Sequence, residues 1–283
     1  MLSCRCSQLR ATPSAPRRRV LAILLGVACV WAFASSASAQ GQAVTFSVIG
    51  DIPYSGKEGL FQGFVDDHNL KSPSKLFFHV GDIKSQTAEC PESYYAQTFD
   101  IMAQLAVPSF IVPGDNEWND CADPNAAWAL WQAYFTDFEQ NFCGAPAVEA
   151  QAVRHENFAF VRDGVLFIGL NLVGGSVHDR AEWDLRLQQD ADWVEVQFTS
   201  KAPQVRAAVI LAQAERSGSR DLFYAQFDAS ASAFGKPILF IHGNSHAWAY
   251  NTNWGAPNIT EISIEQNDPP LELTVSLAAS PFT

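Results

Sequence analysis

Three short apolar runs in this chain stop at the same dipeptide. Val44-Thr45-Phe46-Ser47-Val48-Ile49 runs into Gly50-Asp51, Lys75 to Val80 into Gly81-Asp82, and Ser109-Phe110-Ile111-Val112 into Pro113-Gly114-Asp115. A fourth run, Pro237 to Ile241, ends in His242-Gly243-Asn244-Ser245-His246. Short runs rich in β-branched and aromatic residues, bounded by turn residues, read as buried strands. Between them, residues 58–70 and 92–105 carry the spacing of helices. The second half adds helices over 126–138, 182–201 and 222–234, and a strand over 205–211. It also adds a hairpin at 157–161 and 165–170 about Asp163-Gly164, and a closing strand pair at 259–265 and 271–277. The aromatic stripe Trp128, Trp131 and Phe135 is expected to pack on the core. Strands alternating with helices, then an antiparallel patch, imply an α/β sandwich with sheets inside and helices on the outer faces.

The placement of the acids is what turns this pattern toward chemistry. One Gly-Asp is a turn signal, but ligands in open α/β sheets collect beyond the carboxyl ends of strands. Three aspartates brought to one such edge repel each other unless a cation sits among them. Oxygen ligands mixed with imidazole suit Zn, Mn or Fe, and a shared carboxylate can hold two such ions about 3.5–4 Å apart. Such a pair polarises a phosphoryl oxygen and generates hydroxide near neutral pH. The sequence carries no GxSxG, HExxH, GxxxxGK[ST] or GxGxxG to support a competing chemistry.

At these residues the chain resembles the calcineurin-like metallophosphoesterases, and more closely a secreted branch with blocks matching Gly50 to Tyr54, Gly81 to Lys84 and Pro113 to Trp118. The resemblance continues through Leu211-Ala212-Gln213-Ala214 to His242–His246. It implies two central mixed sheets flanked by helices, and two divalent ions (Mn, Zn, Fe or Mg). It also implies hydrolysis of a small phosphomono- or diester by metal-activated hydroxide. Carried over, Asp51 is a first-metal ligand, Asp82 the bridging aspartate, Asp115 a second-metal ligand and His246 a first-metal ligand. The family pattern is broken at Pro53, Asn116 and Gln213, where histidines are usual. Asn116 then stands at the phosphate-contacting position, and Asn244 or His242 has to serve the second metal. The second site is accordingly expected to be weak, or filled by a harder ion such as Mg or Ca. Lys84, beside Asp82, is a candidate phosphate contact. Glu117 is expected to orient its neighbours, and His79 to be a satisfied core histidine. Asn171, His178 and Arg180 fall in or near a Gly-rich loop that could cover the site. With so many histidines replaced, the alternative to an enzyme is a catalytically impaired binding protein on the same fold.

The N-terminus points to export. Arg17-Arg18-Arg19 precede an apolar run, Val20 to Ala34, that is short for a membrane span, and Ala37-Ser38-Ala39 follows. That is the layout of a cleavable secretory signal over residues 1–39, leaving a single mature domain over 40–283 that is secreted or periplasmic, with no membrane segment. Residues 1–39 hold five Arg and no acid, so the remaining 13 basic and 30 acidic residues carry a net −17. Nucleic acid is a poor partner for such a surface. Three cysteines remain, Cys90, Cys121 and Cys143. Cys90 and Cys121 each follow one of the Gly-Asp loops by a few residues and are the expected disulfide, leaving one thiol over.

Overall fold

The computed structural model describes residues 42–54, 56–87, 89–278 and 281–282. The expected signal over 1–39 lies outside them. Among the described residues, no helix is long and apolar enough to cross a membrane.

Among the described residues, eleven strands build two sheets. β1 (Val44–Ile49), β2 (Phe77–His79) and β3 (Ser109–Ile111) run parallel, and β11 (Leu271–Val275) joins β1 antiparallel, giving the order β11-β1-β2-β3. The second sheet contains β4 (Glu149–Ala150), β5 (Phe158–Arg162), β6 (Val165–Gly169), β7 (Ala207–Leu211) and β8 (Ile238–His242). β9 (Ala249–Thr252) and β10 (Ile259–Ser263) complete it, in the order β4-β5-β6-β7-β8-β10-β9. Helices α1 (Glu58–Lys71), α2 (Glu92–Met102) and α3 (Pro124–Phe135) cover the first sheet. α4 (Arg180–Lys201) and α5 (Asp221–Phe234) cover the second.

Strand periodicity sorts the layers. In β7, Ala207, Val209 and Leu211 face the other sheet, while Ala208 and Ile210 face α4 and α5. A strand buried on both sides has no polar face to show, which is why the runs read as continuously apolar. Between the sheets the phenylalanines interlock, with Phe78 stacked on Phe110 and Phe167 at centroid distances of 5.2 and 5.4 Å. Trp131 and Phe135 of α3 are buried beneath the first sheet, and Trp128 stacks on Trp131. Asp163 and Gly164 both take positive φ (50° and 73°), and they close the hairpin between β5 and β6 as the Asp-Gly pair predicts.

One expectation is corrected. Residues 259–265 and 271–277 do not form a strand pair: β10 lies between β8 and β9, whereas β11 crosses to β1 in the other sheet. Pro269-Pro270 sit in the connection, and proline offers no N–H to start a hairpin ladder there. β4 and the mostly exposed β9, both at the edges of the second sheet, are short and polar and have no apolar alternation to reveal them.

Candidate metal centre

The carboxyl ends of β1, β2, β3, β7 and β8 meet at one edge of the sandwich. Asp51, Asp82 and Asp115 come from the first sheet; Gln213, Asn244 and His246 come from the second. The turns are tight. Four of the eight described non-glycine residues with positive φ are here: Asp51 (54°), Asp82 (60°), Asn244 (64°) and His246 (57°). Aspartate, asparagine and histidine enter this region more often than other non-glycine residues, and such backbone gathers at functional sites. Two glycines make the approach possible. A Cβ on Gly114 would lie 2.1 Å from the Asp82 nitrogen, and one on Gly243 would lie 2.0 Å from an Asp51 carboxylate oxygen.

Asp51, Asp82 and His246 each offer one ligand atom, and these atoms lie within 4.8 Å of one another. His246 Nε2 is 3.1 Å from Asp51 Oδ1. Around them is a closed set of donors. Asn116 donates its backbone N–H to Asp82 Oδ1 (3.2 Å) and its side-chain amide to Asp82 Oδ2 (3.0 Å). Asn244 N–H points at both Asp51 oxygens at 3.3 Å. Glu117 is fully buried and accepts from the backbone N–H groups of Gly114 (2.6 Å), Asp82 (3.3 Å) and Ile83 (3.3 Å), tying the second and third ligand loops together. The Cys90–Cys121 disulfide links the segments that follow those same loops. Cys143 is also engaged, so it is not a spare thiol.

The electrostatics of this set are unfavourable to its own charge. Burial, then the neighbouring carboxylates, pushes Asp82 well above the usual carboxylate range. Burial also raises Asp115 to about 6 and Glu117 to about 7. His246 moves the other way relative to its charge: its hydrogen bond to Asp51 raises its pKa and favours the cation. Buried, proton-holding carboxylates beside an imidazole are a donor set that a divalent ion fits, since the ion replaces protons that cost little to remove in its presence.

Two expected site residues are turned elsewhere. Lys84 is buried, and its ammonium donates to the backbone carbonyls of Asn116 (2.7 Å) and Thr87 (2.9 Å). It holds the Asp115-Asn116 loop instead of presenting itself to a substrate phosphate. His242 is also buried; Nε2 is 2.7 Å from Glu261 Oε1 and Nδ1 is 2.9 Å from the Gly243 carbonyl. Both of its ring nitrogens are occupied away from the aspartates. Of the proposed alternatives, the structure brings Asn244 and not His242 to the cluster. Asn171 faces Glu156, His178 pairs with Asp120 and Arg180 with Asp184. His79 is the satisfied core histidine expected, between Ile52 O and Gly81 N–H.

Two residues have roles the sequence reading did not assign. The Tyr54 hydroxyl lies 2.9 Å from His246 Nε2, 3.2 Å from Asp51 Oδ1 and 3.4 Å from Asp82 Oδ2, amid the three ligand atoms. Its position three residues after Asp51 in Gly50-Asp51-Ile52-Pro53-Tyr54 was the available signal. Gln213 was read only as a missing histidine; its amide is in fact hydrogen-bonded to Asp82, Asp115 and Asn244.

No protein-family model matches the sequence, and no curated protein matches it. Solved structures do resemble it in shape. A dimetal phosphatase from Danio rerio is similar over 82% of this chain and 93% of its own, with a TM-score of 0.56 and 12% identity. A purple acid phosphatase from yellow lupin seeds gives a TM-score of 0.56 at 11% identity, over 83% of this chain and 50% of its own. The anchor protein of the Plasmodium inner membrane complex gives 0.52 at 9% identity, over 83% and 82%. Likeness at these identities speaks for the fold alone: the chain has the two-sheet, helix-flanked α/β sandwich of metal-dependent phosphatases.

Proposed function

We propose that the protein is an exported, metal-dependent phosphoesterase acting on a small phosphomono- or diester. The observation that carries this reading is the convergence of Asp51, Asp82 and His246 at the strand ends of a phosphatase fold. A divalent ion held there would polarise a phosphoryl oxygen and make water acidic enough to attack near neutral pH. The chain's own residues prepare that position. Asn116 and Asn244 aim N–H groups at the ligand carboxylates and fix their orientation, and Glu117 fixes the loops that carry them. Asn116, at the expected phosphate-contacting position, donates a hydrogen bond but has no titratable proton for a leaving group. Esters with good leaving groups, such as aryl phosphates, are therefore the substrates of choice. The basic start, apolar run and Ala37-Ser38-Ala39 of the first 39 residues support export. A disulfide in the mature chain does so too.

A second reading, a phosphatase-like binding protein, is favoured by the replacement of expected histidines at Pro53, Asn116 and Gln213. It is also consistent with the Plasmodium anchor protein's sharing the fold. Hydrolysis of aryl phosphomono- and diesters with Mn, Zn, Fe or Mg separates the two. The enzyme reading expects metal-dependent turnover that falls at least about a hundredfold in Asp82→Asn. A wild type that binds an ion yet is inactive with all four metals would favour the binding protein. Turnover unaffected by Asp82→Asn would refute the site.

A further inference from the structure

We infer that Gln213 occupies the second cation position, so that this is a one-metal centre. The inference rests on the metal-dependent reading above and specifies its stoichiometry. The oxygens that would hold a second ion are Asp82 Oδ2, Asp115 Oδ1 and Asn244 Oδ1. The Gln213 Nε2 atom lies 3.1, 2.9 and 3.0 Å from them. One nitrogen is thus within hydrogen-bond distance of all three candidate ligands at once. A carboxamide nitrogen has hydrogens to give and no lone pair to offer a metal, so it competes with an ion for these oxygens and cannot join them as a ligand.

The amide is held in that orientation. Gln213 Oε1 accepts the backbone N–H of Gly174 at 2.7 Å. Turning the amide over would set an NH2 group against that N–H and abandon all three bonds to the oxygens, leaving buried donors and acceptors unpaired. Nor can the loop readily retreat. Gln213 is fully buried, and its backbone N–H is bonded to the Leu172 carbonyl at 3.2 Å. A Cβ on Gly174 would already stand 2.9 Å from both Asn244 Oδ1 and Asp115 Oδ2, so backbone, amide and ligands are in contact. The first cluster differs: Gln213 reaches neither Asp51 nor His246 and only Oδ2 of Asp82, and the group that stands among its ligand atoms, the Tyr54 hydroxyl, has oxygen lone pairs with which it can join an ion. The expectation of two ions is therefore replaced by one, held by Asp51, Asp82 and His246.

Equilibrium dialysis of the mature protein against Mn, with metal and protein assayed together, should find about one ion per chain at saturation. Gln213→Glu keeps the shape and exchanges the donor for a carboxylate; Gln213→His supplies an imidazole nitrogen. Each variant should take up about two, and the pair should give the exchange-coupled electron paramagnetic resonance spectrum of two nearby Mn ions, absent in the wild type. Two ions in the wild type would overturn the inference, even if neither variant folds. Folded variants that still hold one ion would overturn Gln213 as the cause. A wild type that binds no ion would instead overturn the metal-dependent reading beneath it.

Discussion

The hydroxyl of Tyr54 lies 2.9 Å from Nε2 of His246, a residue 192 positions further along the chain. The two side chains come from different sheets and meet over the same carboxylates, with their rings edge to face at 5.7 Å. Tyr54 therefore helps hold His246 over Asp51, although His246 is substantially exposed. Removing the hydroxyl should loosen that ligand. Tyr54→Phe is expected to lower Mn affinity about tenfold, in line with losses on removing groups that orient metal ligands. Titration calorimetry on both proteins checks this, and unchanged affinity would remove Tyr54 from the site's support.

Metal-free protein should be less stable at neutral pH than in mild acid. Asp115, Glu117 and Asp190, the last buried on α4 beside Asn157 and apart from the metal centre, have folded-state pKa values raised to about 6, 7 and 7, and Asp82 is raised well above 3.8. An acid raised on folding binds more protons in the native state, so its contribution is present below its unfolded pKa and lost as pH rises through the folded value. The window is about pH 4 to 7. Thermal melts in chelator should fall across it. Added Mn should restore stability at the upper end and do little at the lower, where protons occupy the ligands. A chelated protein whose melting temperature rises across the window would contradict the buried-carboxylate account.

Glu117 has a structural task that its amide cannot perform. Its carboxylate accepts three backbone N–H groups from two ligand loops. Glu117→Gln replaces one accepting oxygen with a donor facing a donor, at a cost of about 1–3 kcal/mol. Denaturant unfolding should show that loss, and Mn affinity should fall with it. A variant as stable as the wild type would show that the carboxylate is not what joins the loops.

The Cys90–Cys121 bridge spans 31 positions and joins those same two loop regions. The loop-closure estimate gives it about 3–4 kcal/mol of stability. Non-reducing peptide maps should recover the pair, and Cys90→Ser/Cys121→Ser should unfold at lower denaturant. A map joining Cys143 to either of them would contradict the pairing.

The fold was legible where burial leaves a mark on composition. Strands covered on both faces must be apolar throughout, so β1, β7 and β8 stand out, as does the Asp163-Gly164 turn. Strand partners left no such mark. In residues 259–275 Pro269-Pro270 argues against a hairpin, but nothing there says which sheet β11 joins. At the site, the structure brings Asp51, Asp82, Asp115, Asn116, Asn244 and His246 together, and each sits two to five residues beyond an apolar strand, a pattern the sequence displays. His242 could not be read, because its partner Glu261 lies on β10, which neighbours β8, and an imidazole beside a glycine turn looks the same whether it faces a metal or a carboxylate. Lys84 misled for a related reason: a lysine next to an aspartate suggests a phosphate contact, while its real acceptors are backbone carbonyls, which carry no sequence signature. Gln213 was visible as a departure from pattern, but its effect depends on which end of the amide faces inward.

The most direct test of the account is anomalous diffraction from a crystal of the protein soaked in Mn. The account predicts one strong peak about 2.0–2.2 Å from a carboxylate oxygen of Asp51, one of Asp82 and an imidazole nitrogen of His246. No peak is expected among Asp115, Asn244 and Gln213. No density at the first position, with Asp51 and Asp82 keeping their hydrogen bonds to Tyr54, Asn116 and Asn244, would contradict it.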